Sequence, residues 1–451
     1  MLVMSRIGAS VLLVAAVMRM QAQTPPANPT VLTLQDAIAR AKQYGTQTQS
    51  ANVNVQLARE DRVQARAATL PALNAFNQFI YTEGNGTPSG VFIANDGVHV
   101  YNEQAVVHEE LLSFVRRGEV RRAIAAEAVA RARVEVAQRG LNATVVQDYY
   151  AIVAAQRKVT NAQTSLREAD AFVDISQKQE AGGEAAHADV IKAQITQQQR
   201  RRDVQDAELN VEKAKIALAV IIYPDFRTDF AVQDDLQQPV LLLPFPEAQA
   251  KATSTSPDLR VARASVEQAG YDVSVARYGY LPSLGLDFFY GINANQFAAR
   301  TDYPTPESGR STLPNYEVTN RQNLGYSAQA TLNIPVWNWG ATRSKVKQAA
   351  LRQQQAELEL TLAQRTLQGN LATAYREAQA AQAQVDSLRS SVDLSAESLR
   401  LTVLRYQAGE ANALEVVDAQ TTLAQARNAY DDGLVRYRVA IANLQVLTGS
   451  F

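Results

Sequence analysis

The sequence predicts a mainly α-helical chain with a β-barrel portion, in which very long coiled-coil helices alternate with short membrane-spanning strands. Three observations predict this fold class: a tandem duplication of the chain, a heptad stripe of apolar residues, and short segments that alternate in polarity. Together they describe a chain in which each half repeats the same order of helices and strands.

Composition and charge argue against several classes of protein. The chain has 451 residues, with 44 Lys and Arg against 45 Asp and Glu, so the formal net charge is −1. The basic excess expected of a nucleic-acid-binding protein is missing, and no nucleic acid partner is predicted. A sequence without cysteine cannot form disulfides, thiolate metal sites or cysteine nucleophiles, and its three histidines are not spaced as metal ligands. We therefore predict a non-enzymatic protein without cofactor or metal.

A signal peptide is predicted over residues 1–22. Arg6 precedes an apolar run of about a dozen residues, which is too short to cross a membrane but typical of a secretory signal. Cleavage is expected close to Ala22. No later segment offers the roughly 20 apolar residues that a transmembrane helix needs, so a membrane span would have to come from strands of about 10 residues.

The mature chain is predicted to be a tandem duplication. Placing Pro71 on Pro282, a shift of 211 residues, and Gly183 on Gly409, a shift of 226, aligns two blocks of similar sequence. The repeated unit has roughly 200 residues, much longer than a solenoid repeat. The predicted organisation is a first repeat, an equatorial linker and a second repeat, over residues 23–223, 224–245 and 246–451.

Each repeat is predicted to begin with a helix and two strands. Residues 34–69 are rich in Ala, Gln and Arg, and Pro71 ends this helix because the residue before a proline avoids the helical conformation. In the second repeat, residues 284–292 and 324–336 alternate between apolar and small or polar side chains. This alternation is typical of a barrel wall with lipid on one side and water on the other.

The matching strands of the first repeat, over residues 72–82 and 98–112, alternate less well. The chain is therefore expected to supply four transmembrane strands. A small single-chain barrel needs about eight strands, and open sheet edges are not tolerated in lipid. The sequence thus predicts that several chains must assemble.

A very long helix follows the strands in each repeat. No proline interrupts residues 341–407, in which apolar residues recur every seven positions, and about 65 residues at 1.5 Å each make a helix of about 100 Å. Glycines predicted to end the long helices form tight turns, at Gly182, Gly183 and Gly409. A second helix returns antiparallel after each turn.

The ordered motifs of both repeats resemble those of TolC-type outer-membrane efflux and secretion channels, over residues 31–449. The resemblance is carried by Leu34-Gln-Asp-Ala-Ile, by Ile334-Pro-Val-Trp-Asn-Trp-Gly340, by Tyr406-Gln-Ala-Gly409 and by Leu414-Glu-Val-Val-Asp-Ala-Gln420. It implies a homotrimer in which three chains pool their strands into one barrel in the lipid of the outer membrane. It also implies a helical tunnel across the periplasm, a periplasmic adaptor and an inner-membrane pump as partners.

Four residues near the turns match positions that act as the gate in that family. Glu415 and Asp418 share one helical face and match the acidic ring of the periplasmic constriction. Tyr406 and Asp189 match links between helices that hold the tip shut. The basic partner expected two residues after Gly409 is missing, because Ala411 occupies that position.

Two readings of the function therefore differ in class. The leading one is a passive, gated exit duct of a tripartite efflux or type I secretion system, and the alternative is a non-channel periplasmic coiled-coil scaffold. The scaffold accounts for the long helices but not for the alternation over residues 324–336.

Overall fold

The computed structural model describes residues 30–80, 100–225, 227–238, 242–292 and 324–449. The predicted signal peptide lies outside the described residues. Over the described residues the chain is mainly helical, as the sequence predicts. None of the helices in these ranges has both the length and the apolar character required to cross a membrane.

The same order of elements occurs in both halves of the chain. The first half contains β1 (Thr30–Leu32), α1 (Leu34–Tyr44), α2 (Thr46–Ala67), β2 (Ala72–Ile80), β3 (Val100–Leu112), α3 (Phe114–Ala181) and α4 (His187–Ile222). The second half contains β4 (Phe230–Val232), α5 (Phe245–Thr255), α6 (Pro257–Tyr278), β5 (Ser283–Ile292), β6 (Leu324–Asn333), α7 (Ala341–Gln407) and α8 (Ala413–Thr448). Each long helix and its return helix form an antiparallel hairpin.

The helix predicted over residues 34–69 is instead two helices, α1 and α2, that meet at Gly45. The backbone there is extended, with φ −63° and ψ 115°. A Cβ at this position would lie 2.5 Å from the carbonyl oxygen of Ala41 and 2.8 Å from Cδ2 of Leu141 on α3. Glycine therefore fits here because the carbonyl oxygen of Ala41 leaves no room for a Cβ, and Leu141 packs against the same position.

The long helices agree with the heptad pattern. α3 has 68 residues and α7 has 67, which corresponds to about 100 Å each. The heptad positions of α7 include several residues that are buried in this chain, Leu367, Leu371, Ala374, Ala378 and Ala381. The apolar period thus identifies the face along which the middle of α7 packs.

β1 and β4 form a two-stranded parallel sheet, which connects the first described residues to the segment between the two halves. The hydroxyl of Tyr149, in the middle of α3, donates to the carbonyl oxygens of Leu32 at 3.2 Å and Gln233 at 2.8 Å. Burial, together with the nearby negative charge of Asp235, raises the pKa of Tyr149, so the hydroxyl remains a donor at neutral pH. This small sheet therefore docks at the middle of α3.

Arg157 on α3 bridges this segment and α8. Its Nε lies 2.6 Å from Oδ2 of Asp234, and its Nη1 lies 2.9 Å from Oδ1 of Asp431 on α8. Burial by itself would raise the pKa of Asp234, but the hydrogen bonds from Arg157 and from the backbone amide of Leu236, together with the nearby positive charges, outweigh burial and hold the pKa below its ordinary value. Since the Asp431 side chain is only 9% exposed, this ion pair is shielded from solvent.

The other four strands form one antiparallel sheet in the order β2-β3-β5-β6. Two neighbouring rows of its register separate polar from apolar side chains. One cross-strand row is polar and small, Ala72, His108, Asp287 and Gln329, with 2.6 Å between Nδ1 of His108 and Oδ1 of Asp287. The next row is apolar and lies on the opposite face, Leu73, Val107, Phe288 and Ala328.

Two strand boundaries differ from the sequence pattern. The alternation over residues 324–336 continues beyond β6, which ends at Asn333 because Pro335 cannot donate a ladder hydrogen bond. In β3 the register shifts between Glu110 and Leu112, so one extra residue lies in this strand. This bulge interrupts the alternation at the end of β3.

We expect Arg157→Leu to lower stability strongly, because it leaves the carboxylate of Asp431 shielded from solvent without its cation. The expected loss is about 3 kcal/mol. The matched control is Lys158→Leu, which breaks a neighbouring ion pair with Asp432 in which both side chains are 44% exposed. That exposed pair should contribute about 1 kcal/mol or less. Thermal unfolding followed by circular dichroism would compare the two, and equal shifts in Tm would contradict the role assigned to Arg157.

Candidate functional site at the tips of the two hairpins

Each hairpin ends in a tight turn. We call residues 182–186, between α3 and α4, the first tip, and residues 408–412, between α7 and α8, the second tip. Gly183 and Gly409 both have φ +75°, a left-handed conformation that favours glycine. The backbone amides that follow these glycines donate hydrogen bonds to the last turns of the long helices. The amide of Glu184 donates to the carbonyl oxygen of Gln179, and that of Glu410 to the carbonyl oxygen of Arg405, both at 2.8 Å. The predicted turn glycines are therefore in place.

Tyr406 lies in an apolar core directly beneath the second tip. Its side chain is 3% exposed, and its ring meets that of Phe172 on α3 edge-on, with centroids 5.1 Å apart. The hydroxyl donates to Oγ of Ser176 on α3, at 3.4 Å. Tyr406 thus connects α7 to α3, through two partners that sequence reasoning did not single out.

Glu415 occupies the first turn of α8 and caps it. Its Oε1 accepts from the backbone amide of Asn412 at 3.3 Å, while the Asn412 side chain accepts from the amide of Glu415 at 3.0 Å. This reciprocal pair is a capping box, in which the carboxylate also interacts favourably with the positive end of the helix dipole. The Glu415 side chain remains 42% exposed.

Arg405 supplies a positive charge near the position where the sequence has Ala411. Its Nη1 lies 3.3 Å from Oε2 of Glu415, and its Nη2 donates to the carbonyl oxygen of Glu410 at 3.1 Å. Ala411 itself packs against the apolar core of the tip. The Arg405–Glu415 contact spans ten residues across a turn, so helical spacing within one element did not indicate it.

Asp418 lies one turn after Glu415 and is exposed. Asp189 lies in the first turn of α4 and is half-buried. Neither carboxylate makes a hydrogen bond or ion pair with another described residue, so Asp189 is not paired with Tyr406 within one chain. The structure therefore brings Glu415 and Asp418 to one helix end, and leaves Asp189 on the neighbouring hairpin.

The acidic and histidine side chains near the tips do not form a metal-binding cluster among the described residues. No group of three or more His, Asp or Glu side chains in the described ranges is arranged to hold a metal ion. His187 is near the first tip, but its Nδ1 contacts a single carboxylate oxygen, Oε1 of Glu180, at 2.6 Å. The tips are therefore sites of charge and packing rather than of preformed metal coordination.

Comparison with known proteins agrees with this architecture. OprJ, an outer membrane protein of Pseudomonas aeruginosa, is 25% identical over 330 residues, which cover 71% of this chain and 63% of OprJ. The alkaline protease secretion protein AprF of the same organism is 22% identical over 433 residues, 93% of this chain and 84% of AprF. The CmeC outer membrane channel of Campylobacter jejuni has a similar fold, with a TM-score of 0.76 at 16% identity, covering 92% of this chain and 85% of CmeC.

The match with OprJ spans less than two thirds of that protein's length. A model of the outer membrane efflux protein family matches most of the chain, over residues 37–222 and 249–450. The matched residues include both long helices, both return helices and the two tips. The chain therefore belongs to the outer membrane efflux protein family and is located in the outer membrane.

Proposed function

We propose that the chain forms a homotrimeric exit duct of a tripartite efflux or type I secretion system. In this proposal three chains pool four strands each into one outer-membrane barrel, and their helices continue as a tunnel into the periplasm. The duct conducts substrates passively from a periplasmic adaptor and inner-membrane pump to the exterior. The repeats proposed over residues 23–223 and 246–451, with the equatorial linker 224–245, give each chain two hairpins.

The four-stranded sheet is the observation that carries this proposal. Its apolar face leaves large side chains exposed in the single chain, including Leu73 at 72% and Tyr326 at 76%. Its edges, β2 and β6, have no further strand to pair with in the described part of the chain. Unpaired backbone groups are costly in lipid, so a membrane-spanning sheet of this size requires strands from other chains.

The helices, like the sheet, have two outer edges that a neighbouring chain could cover. Within one chain α2 packs on α3, α3 on α6, and α6 on α7, so α2 and α7 flank the layer just as β2 and β6 flank the sheet. Both outer helices expose apolar residues, Val53 and Leu57 on α2, and Leu351, Leu358 and Leu362 on α7. A second copy would cover both edges at once, with α7 of one chain beside α2 of the next.

The gate is proposed at the tips. Three copies would bring six carboxylates, two from each chain at Glu415 and Asp418, around one axis. Such a ring attracts cations and disfavours anions. Tyr406 is proposed to hold α7 against α3 in the closed state, and the unpaired carboxylate of Asp189 is proposed to contact a neighbouring chain.

The alternative, a non-channel periplasmic coiled-coil scaffold, would leave the apolar face of the sheet without a covering. Membrane fractionation of cells that express the chain distinguishes the two. Recovery with outer-membrane vesicles is expected, and recovery in the soluble periplasm would contradict the exit duct.

We expect Leu358→Glu with Leu362→Glu to prevent assembly, because the pair places two charges in the exposed apolar row of α7. Ala350→Glu is the matched control, since it adds a charge at an exposed position about a quarter turn away from that row. Light scattering of detergent-purified protein should give three times the chain mass for the wild type and the control. A trimer of unchanged stability in the double variant would contradict the proposed interface.

We expect Glu415→Gln with Asp418→Asn to weaken cation preference and block by trivalent cations. These substitutions remove both charges, while the amide oxygen introduced at position 415 can still accept the capping hydrogen bond, whereas alanine would also disrupt the helix end. Glu410→Gln is the control, because it removes an exposed charge from the second tip outside the first turn of α8. Single-channel currents in planar bilayers, with and without a trivalent cation, provide the measurement. Block of the double variant as strong as that of the wild type would place the constriction elsewhere.

A further inference from the structure

A side-chain amide near the end of α3 reaches the end of α7. The Nε2 of Gln179 donates to the carbonyl oxygens of Tyr406 at 3.1 Å and Gln407 at 3.2 Å. The last carbonyls of a helix lack partners within that helix, so a donor from outside stabilises them. Carbonyl oxygens only accept hydrogen bonds, and the amide of Gln179 must therefore present its NH₂ group to α7.

The equivalent position of the second repeat does something different. The shift of 226 residues places Gln179 on Arg405. Arg405 contacts Glu415 and the carbonyl oxygen of Glu410, both within its own hairpin. Arg405 thus forms these contacts within the second hairpin, whereas Gln179, at the equivalent position of the first repeat, connects α3 to the second tip.

Gln179 completes one face of α3 that contacts the end of α7. Phe172, Ser176 and Gln179 are spaced four and three residues apart, so they lie on the same side of the helix. The first two contact the Tyr406 side chain, whereas Gln179 bonds the backbone beyond it. In the described part of the chain, no polar contact between the two hairpins lies nearer to the tips.

The next polar contact between the hairpins is that of the Tyr406 hydroxyl with Oγ of Ser176, and the others are farther from the turns. The amide of Gln420 donates to the carbonyl oxygen of Glu168 at 3.2 Å, and Arg200 donates to Oγ1 of Thr421 at 3.0 Å. If the second tip separates from α3 while these two contacts hold, the bonds of Gln179 must break, together with the contact between Tyr406 and Ser176. A movement confined to the tips therefore breaks the bonds of Gln179.

We propose that Gln179 is a gate-locking residue, which holds the second tip against α3 by two hydrogen bonds to the last carbonyls of α7. This inference rests on the proposed function, because a lock matters only where the tips bound a passage. The lock uses a neutral amide and backbone oxygens, so it needs neither a basic residue at position 411 nor the carboxylate of Asp189.

The test compares Gln179→Glu, which replaces the donor NH₂ by an oxygen that repels the two carbonyls, with Gln177→Glu. Gln177 is exposed on α3 two residues earlier, so the control adds the same charge to the same turn. Single-channel recording should show the open probability of Gln179→Glu increased by about five- to thirtyfold, as expected for the loss of one or two hydrogen bonds. The control should behave as the wild type, and Gln179→Lys, which keeps donors at the site, should remain closed.

Hydrogen–deuterium exchange gives a readout that does not depend on conduction. The amides of residues 408–410 should exchange faster in Gln179→Glu than in Gln177→Glu, because the turn of the second tip loses its attachment to α3. Equal open probability and equal exchange in the two variants would overturn the lock. If neither the wild type nor Gln179→Glu conducts any current, the proposed function is contradicted, while the exchange comparison still decides whether Gln179 holds the tip.

Discussion

The rest of this structure depends on one physical constraint, which is that the two edge strands of the four-stranded sheet are unpaired in the described part of a single chain. Among the described residues, β2 and β6 each leave backbone donors and acceptors without a partner strand, and α2 and α7 leave apolar rows exposed beside them. Each element is regular and well formed, yet its outer face is unfavourable in a single chain, since polar backbone groups need partners and apolar side chains need cover. Because the sheet and the helical layer have their edges on corresponding elements, the proposed trimer would cover both edges in one mode of association.

Within the chain, apolar packing holds the hairpins together and polar contacts fix their register. A heptad seam rich in Ala and Leu packs nearly as well after a shift along the helix, so it defines a face more firmly than an axial position. Arg157 with Asp431, Arg427 with Glu168 at 2.9 Å, and Gln179 with the end of α7 connect specific points of α3 to the second hairpin. Each of these groups would lose a partner if the helices slid.

At the second tip, the carboxylate of Glu415 both stabilises the turn and contributes to the proposed acidic ring. Glu415 caps α8 and pairs with Arg405, so its carboxylate is anchored in the closed turn while part of it faces solvent. Asp418, by contrast, has no partner among the described residues and contributes charge alone. A substitution at Glu415 therefore changes both the shape of the turn and the field around it, whereas one at Asp418 changes the field.

The sequence by itself determined the features that depend on neighbouring residues. The period of seven identified the buried face of α7, the glycines marked both tips, and alternation located β5 and β6. Tertiary structure decided the packing of Leu141 against the break at Gly45, the pairing of Arg405 with Glu415, and the pairing of Gln179 with α7. The reason is physical: a helix or strand signal is repeated along the chain, but a contact between distant residues depends on how whole elements pack, which no local pattern encodes.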